Sequence, residues 1–461
     1  THSGGAGKAI AEWMTDGVTT IDMRETDVNR FHDHARSRTY VYDRCYKQYD
    51  EVYDILHPLD QVAKPRGLRV TPFHARKEAQ EGYMIESSGW ERAQWFDQNA
   101  ALVEQYEIAP RTGWEARHWS PIQGAEHLAT RENVALYDLT PFTKIEVSGP
   151  GALGFLNTIA ANQIDRPIGK VVYTALLTEA GGIKADLTIT RTGPETFWVL
   201  TGGGSGMLDL TWLQQHAPAD GSVQITDITS QYCALGLWGP KSRAVLQAVC
   251  EEDVSNEAFG YFTAQSINIG PVPAFALRVS YVGELGWEIY TRSEYGLYLW
   301  DTLWNAGQEH GLIAGGLGAF DSLRLEKGYR LWGADIHTEY NPYEAGLAWA
   351  VRLKKGDFLG RDALLKIKAA GLSRKLCCLT LDDPNAVVLG KEPILSGDQT
   401  LGYVSSAGYG YSVGKFIIYG YLPIDFAVEG TKVEVVYFDK RYTATVTNEP
   451  LFDPDGDKVK A

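Results

Sequence analysis

The sequence predicts an α+β protein built on antiparallel sheets and ending in a small β-barrel. Three observations predict it. From about residue 117 to 355, strand and helix patterns alternate across hairpin-like glycine turns. Beyond about residue 374 helical periodicity is scarce, and short strands alternate with glycine turns, as in Leu401-Gly402-Tyr403-Val404 and Thr431-Lys432-Val433-Glu434-Val435-Val436. No strand precedes a dinucleotide-type glycine loop, so a doubly wound parallel sheet is the poorer reading.

Taken in order, the chain opens on a glycine turn, an amphipathic helix around Ala9-Ile10-Ala11-Glu12-Trp13-Met14, and a turn at Asp16-Gly17. A glycine turn at a helix start can hold a phosphate, but no strand precedes it, and a surface helix with a flexible lead is the preferred reading. Residues 36–100 are rich in Tyr, Trp, His and Arg, including Arg66-Gly67-Leu68-Arg69 and Gly89-Trp90-Glu91-Arg92. So many aromatics must find apolar surface, which predicts a docked connecting region. Lys144-Ile145-Glu146-Val147 alternates as a strand and stops at Gly149-Pro150-Gly151, and a helix follows over Ala152–Ile159. Phe197-Trp198-Val199-Leu200 is a short buried strand ending at Gly202-Gly203-Gly204, and residues 208–215 and 295–310 read as helices. The boundaries expected are 1–116 for an N-terminal connecting region, 117–373 for a core of two subdomains, and 374–461 for the barrel.

Composition bounds the function. The chain has 461 residues, 44% hydrophobic and 22% charged, which suits a soluble protein of two to four domains. The net charge is −15 with no run of Lys or Arg, so nucleic acid is not an expected partner. No apolar run approaches the roughly 20 residues that span a bilayer. The start, Thr1-His2-Ser3-Gly4-Gly5, lacks the pattern of a signal peptide and reads as processed or trimmed. Cys45, Cys233, Cys250, Cys377 and Cys378 form no CxxC pair and are odd in number, which predicts reduced structural thiols and a cytoplasmic location. Zinc spacings, a GxSxG elbow and a GxxxxGK[ST] loop are all absent, so no metal, serine nucleophile or phosphate loop is expected.

Three separated segments place a carboxylate beside glycines and β-formers. In Gly181-Gly182-Ile183-Lys184-Ala185-Asp186-Leu187-Thr188, Asp186 falls on a strand just after a turn, with Tyr173 on the expected partner strand. In Tyr281-Val282-Gly283-Glu284-Leu285-Gly286-Trp287-Glu288, the seven-residue offset would put Tyr281 and Glu288 on opposite faces of an unbroken strand; Gly283 and Gly286 predict a turn that lets both reach one pocket. In Leu323-Arg324-Leu325-Glu326, the two charges read as a local ion pair on a helix. Gly203, in the glycine triplet, marks a close backbone approach to a ligand or a plain turn. Read from residues alone, the segments make either a pocket for a flat polar ligand with a carboxylate acid/base, or ordinary surface acids.

Together these segments resemble the aminomethyltransferase (glycine-cleavage T-protein) family, in the branch fused to flavin-dependent dimethylglycine and sarcosine dehydrogenases. The resemblance is carried by Ser120-Pro121-Ile122 with Glu126-His127-Leu128-Ala129-Thr130-Arg131-Glu132, by Val147-Ser148-Gly149-Pro150-Gly151-Ala152, by Asn341-Pro342-Tyr343-Glu344-Ala345-Gly346-Leu347, by Phe358-Leu359-Gly360-Arg361, and by Gly408-Tyr409-Gly410-Tyr411-Ser412-Val413-Gly414-Lys415. It implies a three-domain cloverleaf around a central folate cavity. It implies tetrahydrofolate contacts at Tyr173, Asp186, Thr188, Gly203, Tyr281 and Glu288, with Asp186 and Tyr281 as catalytic groups. His2 to Trp13 resembles the end of the flavin domain in the fused enzymes, and Arg66 to Phe73 their middle region; the flavin-binding fingerprint is missing, so no flavin is expected on this chain. Gly318-Ala319-Phe320-Asp321 departs from the family's Gly-Ala-Arg-Asp, which argues against a lipoyl-bound substrate.

The activity this implies is methyl transfer from a small methylated substrate to N5 of tetrahydrofolate. A methoxy-aromatic acid is the favoured donor, by resemblance to folate-dependent O-demethylases, and Tyr281 or a nearby His would assist the leaving oxygen. The alternative is the one-carbon module of a split dimethylglycine or sarcosine dehydrogenase, which takes a methylene unit from a separate flavoprotein and releases 5,10-methylenetetrahydrofolate. A third reading is a noncatalytic folate-binding protein.

Overall fold

The computed structural model describes residues 2–383 and 385–461. Two sheets and a barrel carry the fold. The first sheet runs Val171–Leu177, Ile183–Arg191, Thr196–Thr201, Thr143–Ser148, Gln224–Asp227 in spatial order, with every pairing antiparallel. The second runs Ala264–Ile269, Val272–Leu277, Gly286–Arg292, Tyr232–Trp238, Val134–Asp138, Leu312–Ala314, antiparallel except for the parallel edge pair of Leu312–Ala314 with Val134–Asp138. The barrel closes through Arg374–Leu381, Lys415–Pro423, Gln399–Gly410, Pro393–Ser396, Lys432–Tyr437 and Lys440–Thr447. The α+β class and the terminal barrel are therefore as expected.

Each sheet buries one face under helices. On the first, Ala185, Leu187 and Ile189 alternate inward against Leu156 of the helix Ala152–Ile159 and Leu210 and Leu213 of the helix Gly206–His216. On the second, Leu235, Leu237, Trp287 and Ile289 pack against Val245 and Leu246 of Ser242–Val249 and Leu299, Trp300 and Leu303 of Gly296–Gly307. Residues of both sheets and of the helix Leu317–Glu326 then share an aromatic core: Trp198 from the first, Tyr137, Trp238 and Tyr290 from the second, and Phe320. Trp198 meets Tyr290 edge-on at 6.0 Å, a favoured aromatic geometry.

The local Arg324–Glu326 ion pair is not formed. Residues two apart on a helix point about 200° from one another. Arg324 reaches Asp335 at 2.9 Å and Asp321 at 2.8 Å, while Glu326 reaches Arg131 and His127, each at 3.2 Å. Both are buried and both hold the barrel: Ser405 donates to Asp335 Oδ1 at 2.6 Å, and the Ser412 amide donates to Glu326 Oε1 at 2.7 Å.

The connecting region is docked only in part. Phe73, Trp90, Trp95 and Phe96 are buried. On and just after the helix Arg38–Glu51, however, Tyr42, Tyr46, Tyr49 and Tyr53 are 70%, 69%, 85% and 98% exposed, against expectation. This helix buries none of its own residues, because no element among the described residues covers its tyrosine face. Among the described residues no helix is long and apolar enough to cross a membrane.

Candidate functional site

Asp186 is positioned by the hairpin before it. Gly181 has φ +84°, and a Cβ on Gly182 would meet the Thr338 carbonyl oxygen at 1.9 Å, so this turn needs glycine for conformation and for space. The strand Ile183–Arg191 then alternates: its apolar residues enter the helix-covered core, and Lys184, Asp186 and Thr188 lie half-buried on the other face. Tyr173 pairs with Thr188 and Ala175 with Asp186, so Tyr173 reaches Asp186 diagonally; its hydroxyl donates to Oδ2 at 3.0 Å. The Tyr173 ring stacks on Trp349, centroids 5.1 Å apart. Burial pushes the Asp186 carboxyl up to about 6, with the Tyr173 hydrogen bond opposing and the Asp335 charge adding.

Tyr281 and Glu288 are separated by the expected turn, with Gly283 at φ +78° and Gly286 at φ +155° before the strand Gly286–Arg292. The Tyr281 ring stacks on Phe320 at 5.2 Å, and its hydroxyl donates to the Arg330 carbonyl at 2.7 Å, so its proton is engaged within the fold. Burial raises its phenol above the ordinary range, opposed by Arg324 and reinforced by the Asp186 charge. Glu288 accepts the Tyr290 hydroxyl at 2.6 Å; burial pushes its carboxyl up to about 7 against that hydrogen bond and the Lys144 charge. Lys144 is wholly buried, its ammonium donates to the carbonyls of Thr140 and Phe142, and burial pushes it down to about 8.

The structure thus brings Tyr173, Asp186 and Tyr281 into one electrostatic group, with Thr188 on the same strand face as Asp186 and its hydroxyl without a partner among the described residues. Glu288 stands on the other sheet with Tyr290, and no hydrogen bond joins it to that group among the described residues. Gly203 has no room for a Cβ, which would meet the Pro141 carbonyl oxygen at 2.2 Å; its close approach is to protein backbone. Sequence reasoning did not single out Trp349, half-exposed against Tyr173, or the contact of Phe320 with Tyr281. Neither has a local pattern, since each neighbour is distant in sequence.

Chemically, the site offers two carboxyls with raised pKa values, each with one oxygen accepting a tyrosine hydroxyl and one without a side-chain donor. Aromatic faces stand beside Asp186. This can grip a flat ring rich in N–H donors and hold or release a proton near neutrality. Among the described residues no three His, Cys, Asp or Glu side chains group as metal ligands.

Comparison with known proteins agrees with this layout. Residues 73–355 match the GCVT N-terminal domain, 374–453 the glycine cleavage T-protein C-terminal barrel domain, and 16–71 the FAD dependent oxidoreductase central domain. Mitochondrial dimethylglycine dehydrogenase of Homo sapiens is 35% identical over 98% of this chain and 51% of its own length, so the chain spans about half of that relative. An aminomethyltransferase of Symbiobacterium thermophilum is 33% identical over 75% of this chain and 93% of its own length. The crystal structure of glycine cleavage system aminomethyltransferase T from Bartonella henselae superposes with a TM-score of 0.72 at 26% identity, covering 84% of this chain and 99% of that one.

Proposed function

The chain belongs to the aminomethyltransferase (glycine-cleavage T-protein) family, and on that premise we propose that it transfers a one-carbon unit to tetrahydrofolate held between its two sheets. The carrying observation is the Tyr173–Asp186 hydrogen bond, which fixes a carboxyl of pKa about 6 beside the stacked rings of Tyr173 and Trp349. The residues fit the group: the pterin edge of tetrahydrofolate is rich in N–H donors, and Glu288 and Asp186 each keep a carboxyl oxygen without a side-chain donor. When bound, tetrahydrofolate supplies a nucleophilic ring amine.

Asp186 orients that amine and takes the proton it loses as carbon arrives; a carboxyl titrating near 6 is ionised and ready at neutral pH. Tyr173 holds the carboxylate in one rotamer and favours its charged form. Glu288 anchors the opposite side of the ring. Trp349 stacks on Tyr173 and Phe320 on Tyr281, which fixes the two tyrosine rings. Holding two reactants at attack distance is worth up to about 7–11 kcal/mol, so positioning carries most of the acceleration.

Two donors draw support from different observations. The match of residues 16–71 to a flavoenzyme central domain, and the uncovered tyrosine face of Arg38–Glu51, support an amine-derived methylene unit handed over by a flavoprotein. The product is then 5,10-methylenetetrahydrofolate. The aromatic surfaces of Trp349 and Phe320 support the other donor, a methoxy-aromatic acid that gives its methyl directly to N5. The amine reading has the broader support, because the relatives that match 98% or more of the chain include a dimethylglycine dehydrogenase and a sarcosine dehydrogenase. Incubation with tetrahydrofolate, with formaldehyde and methylamine as an iminium source or with methoxybenzoates, followed by mass analysis of the folate against a protein-free control, separates them, the control being needed because formaldehyde condenses with tetrahydrofolate unaided. No one-carbon folate formed faster than in that control would sink the proposal.

A further inference from the structure

Between the helix Leu317–Glu326 and the 3-10 turn Ala348–Ala350 the chain has no helix or strand, yet this stretch carries part of the site. The Arg330 carbonyl accepts the Tyr281 hydroxyl at 2.7 Å, and the Tyr329 ring stacks on the Tyr281 ring at 5.9 Å. Trp332 packs on the same apolar cluster as Tyr173, with Ala175 and Ile183 from the two strands that carry Tyr173 and Asp186. Without ladder bonds, such a stretch keeps its place only through the partners of its individual groups.

Its two ends are pinned by the barrel domain. Arg330 pairs with Glu449 at 2.7 Å; Asp335 accepts the Ser405 hydroxyl at 2.6 Å, and its carbonyl accepts the Tyr421 hydroxyl at 2.8 Å. The middle is pinned from elsewhere. Among the described residues, one side chain hydrogen-bonds to residues 332–334, and it is Arg24, 309 residues from Gly333. Its Nη2 donates to the Gly333 carbonyl, and its guanidinium lies 5.6 Å from the centre of the Trp332 ring. A Cβ on Gly333 would stand 3.2 Å from Arg24 Nε, so the approach is close.

Arg24 is itself held for this contact. It pairs with Asp22, and the two side chains are only 17% and 12% exposed. The Asp22 amide donates to Glu339 Oε1 at 2.8 Å, so residues 22–24 straddle the stretch from Trp332 to Glu339. They lie in the part that matches a flavoenzyme central domain, and the stretch they hold lies in the GCVT N-terminal domain match.

We infer that Arg24 is a positioning residue of the one-carbon site: by holding Gly333 and Trp332 it keeps residues 330–335 in place against Tyr281 and the Tyr173 cluster, so the seating of the N-terminal segment sets the affinity for folate. The inference rests on the reading of that site as a folate site, and its first test needs neither folate nor turnover.

Hydrogen exchange of the whole chain, read by mass spectrometry, follows the hold directly. In Arg24→Ala the amides of residues 331–336 should exchange about tenfold faster, and those of the strand Gln224–Asp227 at the wild-type rate. The tetrahydrofolate Kd, read by fluorescence, should rise about tenfold, the lower end of what one charged hydrogen bond is worth. Arg24→Lys keeps a donor and a cation beside the ring and should recover part of both effects. Glu25→Ala removes only the 85%-exposed partner of Arg24 and should change neither. Folate binding restores the arrangement, so in Arg24→Ala KM for tetrahydrofolate rises while kcat stays within about twofold. Wild-type exchange at residues 331–336 in Arg24→Ala, or faster exchange with an unchanged Kd, overturns the inference; so does a fall in kcat at unchanged KM. No tetrahydrofolate binding to the wild type would count against the folate reading, and the exchange comparison would still decide whether Arg24 holds residues 330–335.

Discussion

The Tyr173 hydroxyl donates to Asp186 across a strand pair, at 3.0 Å, from the position diagonal to the acid. The bond depends on register: a one-residue slip of either strand would send one of the two side chains to the helix-covered face. Tyr173→Phe removes a donor that favours the carboxylate, so the Asp186 titration should move up from about 6. Carboxyl carbon shifts in labelled protein will report it, and the acid limb of the rate profile should move with it. An unmoved titration would show that the hydroxyl does not tune the acid.

Asp186→Asn should lower one-carbon transfer by about 10²–10⁴, the usual range for a lost general base. It should also stabilise the fold. The folded pKa of about 6 lies above the reference 3.8, so the folded state binds the proton more tightly than the unfolded chain does. Ionising Asp186 therefore costs stability as pH rises through that window, by at most about 3 kcal/mol for a shift near two units. Thermal melts should show the variant more stable at pH 7 and equal to wild type below pH 4.

Glu288→Gln keeps the shape but replaces an ionisable acceptor with an amide that also donates. Tetrahydrofolate affinity, read by fluorescence, should fall about 10–100-fold, the worth of a charged hydrogen bond. Turnover at saturating coenzyme should change far less, because Glu288 stands on the sheet opposite Asp186.

Glu326→Ala should destabilise by about 1–3 kcal/mol, because the Ser412 amide loses its acceptor and the buried Arg131 loses one of its two carboxylates, keeping Glu284 at 3.0 Å. In the wild type burial raises this carboxyl, but His127, Arg131 and the Ser412 amide overcome that and hold it down at about 2. Its contribution is present above pH 4.5 and is lost as pH falls toward 2. Acid unfolding of the variant should lack that component.

What could be read in the sequence was what repeats locally. The alternation after Gly181-Gly182 placed Asp186 on its strand, the paired glycines between Tyr281 and Glu288 announced the turn, and Ala152–Ile159 was bounded correctly by the preceding glycines. Partners distant in sequence were hidden. Arg324 and Glu326 looked like neighbours and instead hold separate partners, because helix geometry separates them and the barrel supplies Ser405 and Ser412 from some 80 residues away. The tyrosines of Arg38–Glu51 failed in the other direction, since composition cannot say whether a covering surface is at hand.

The Glu326 junction has a consequence for how this molecule comes apart. One carboxylate is shared by the helix Ile122–Glu132, the helix Leu317–Glu326 and the barrel hairpin. Severing the chain near residue 373 would therefore uncover the Glu326 cluster on one fragment and leave the Ser412 amide without its acceptor on the other. The two matched modules should melt as a single calorimetric transition, and neither half should survive expression by itself.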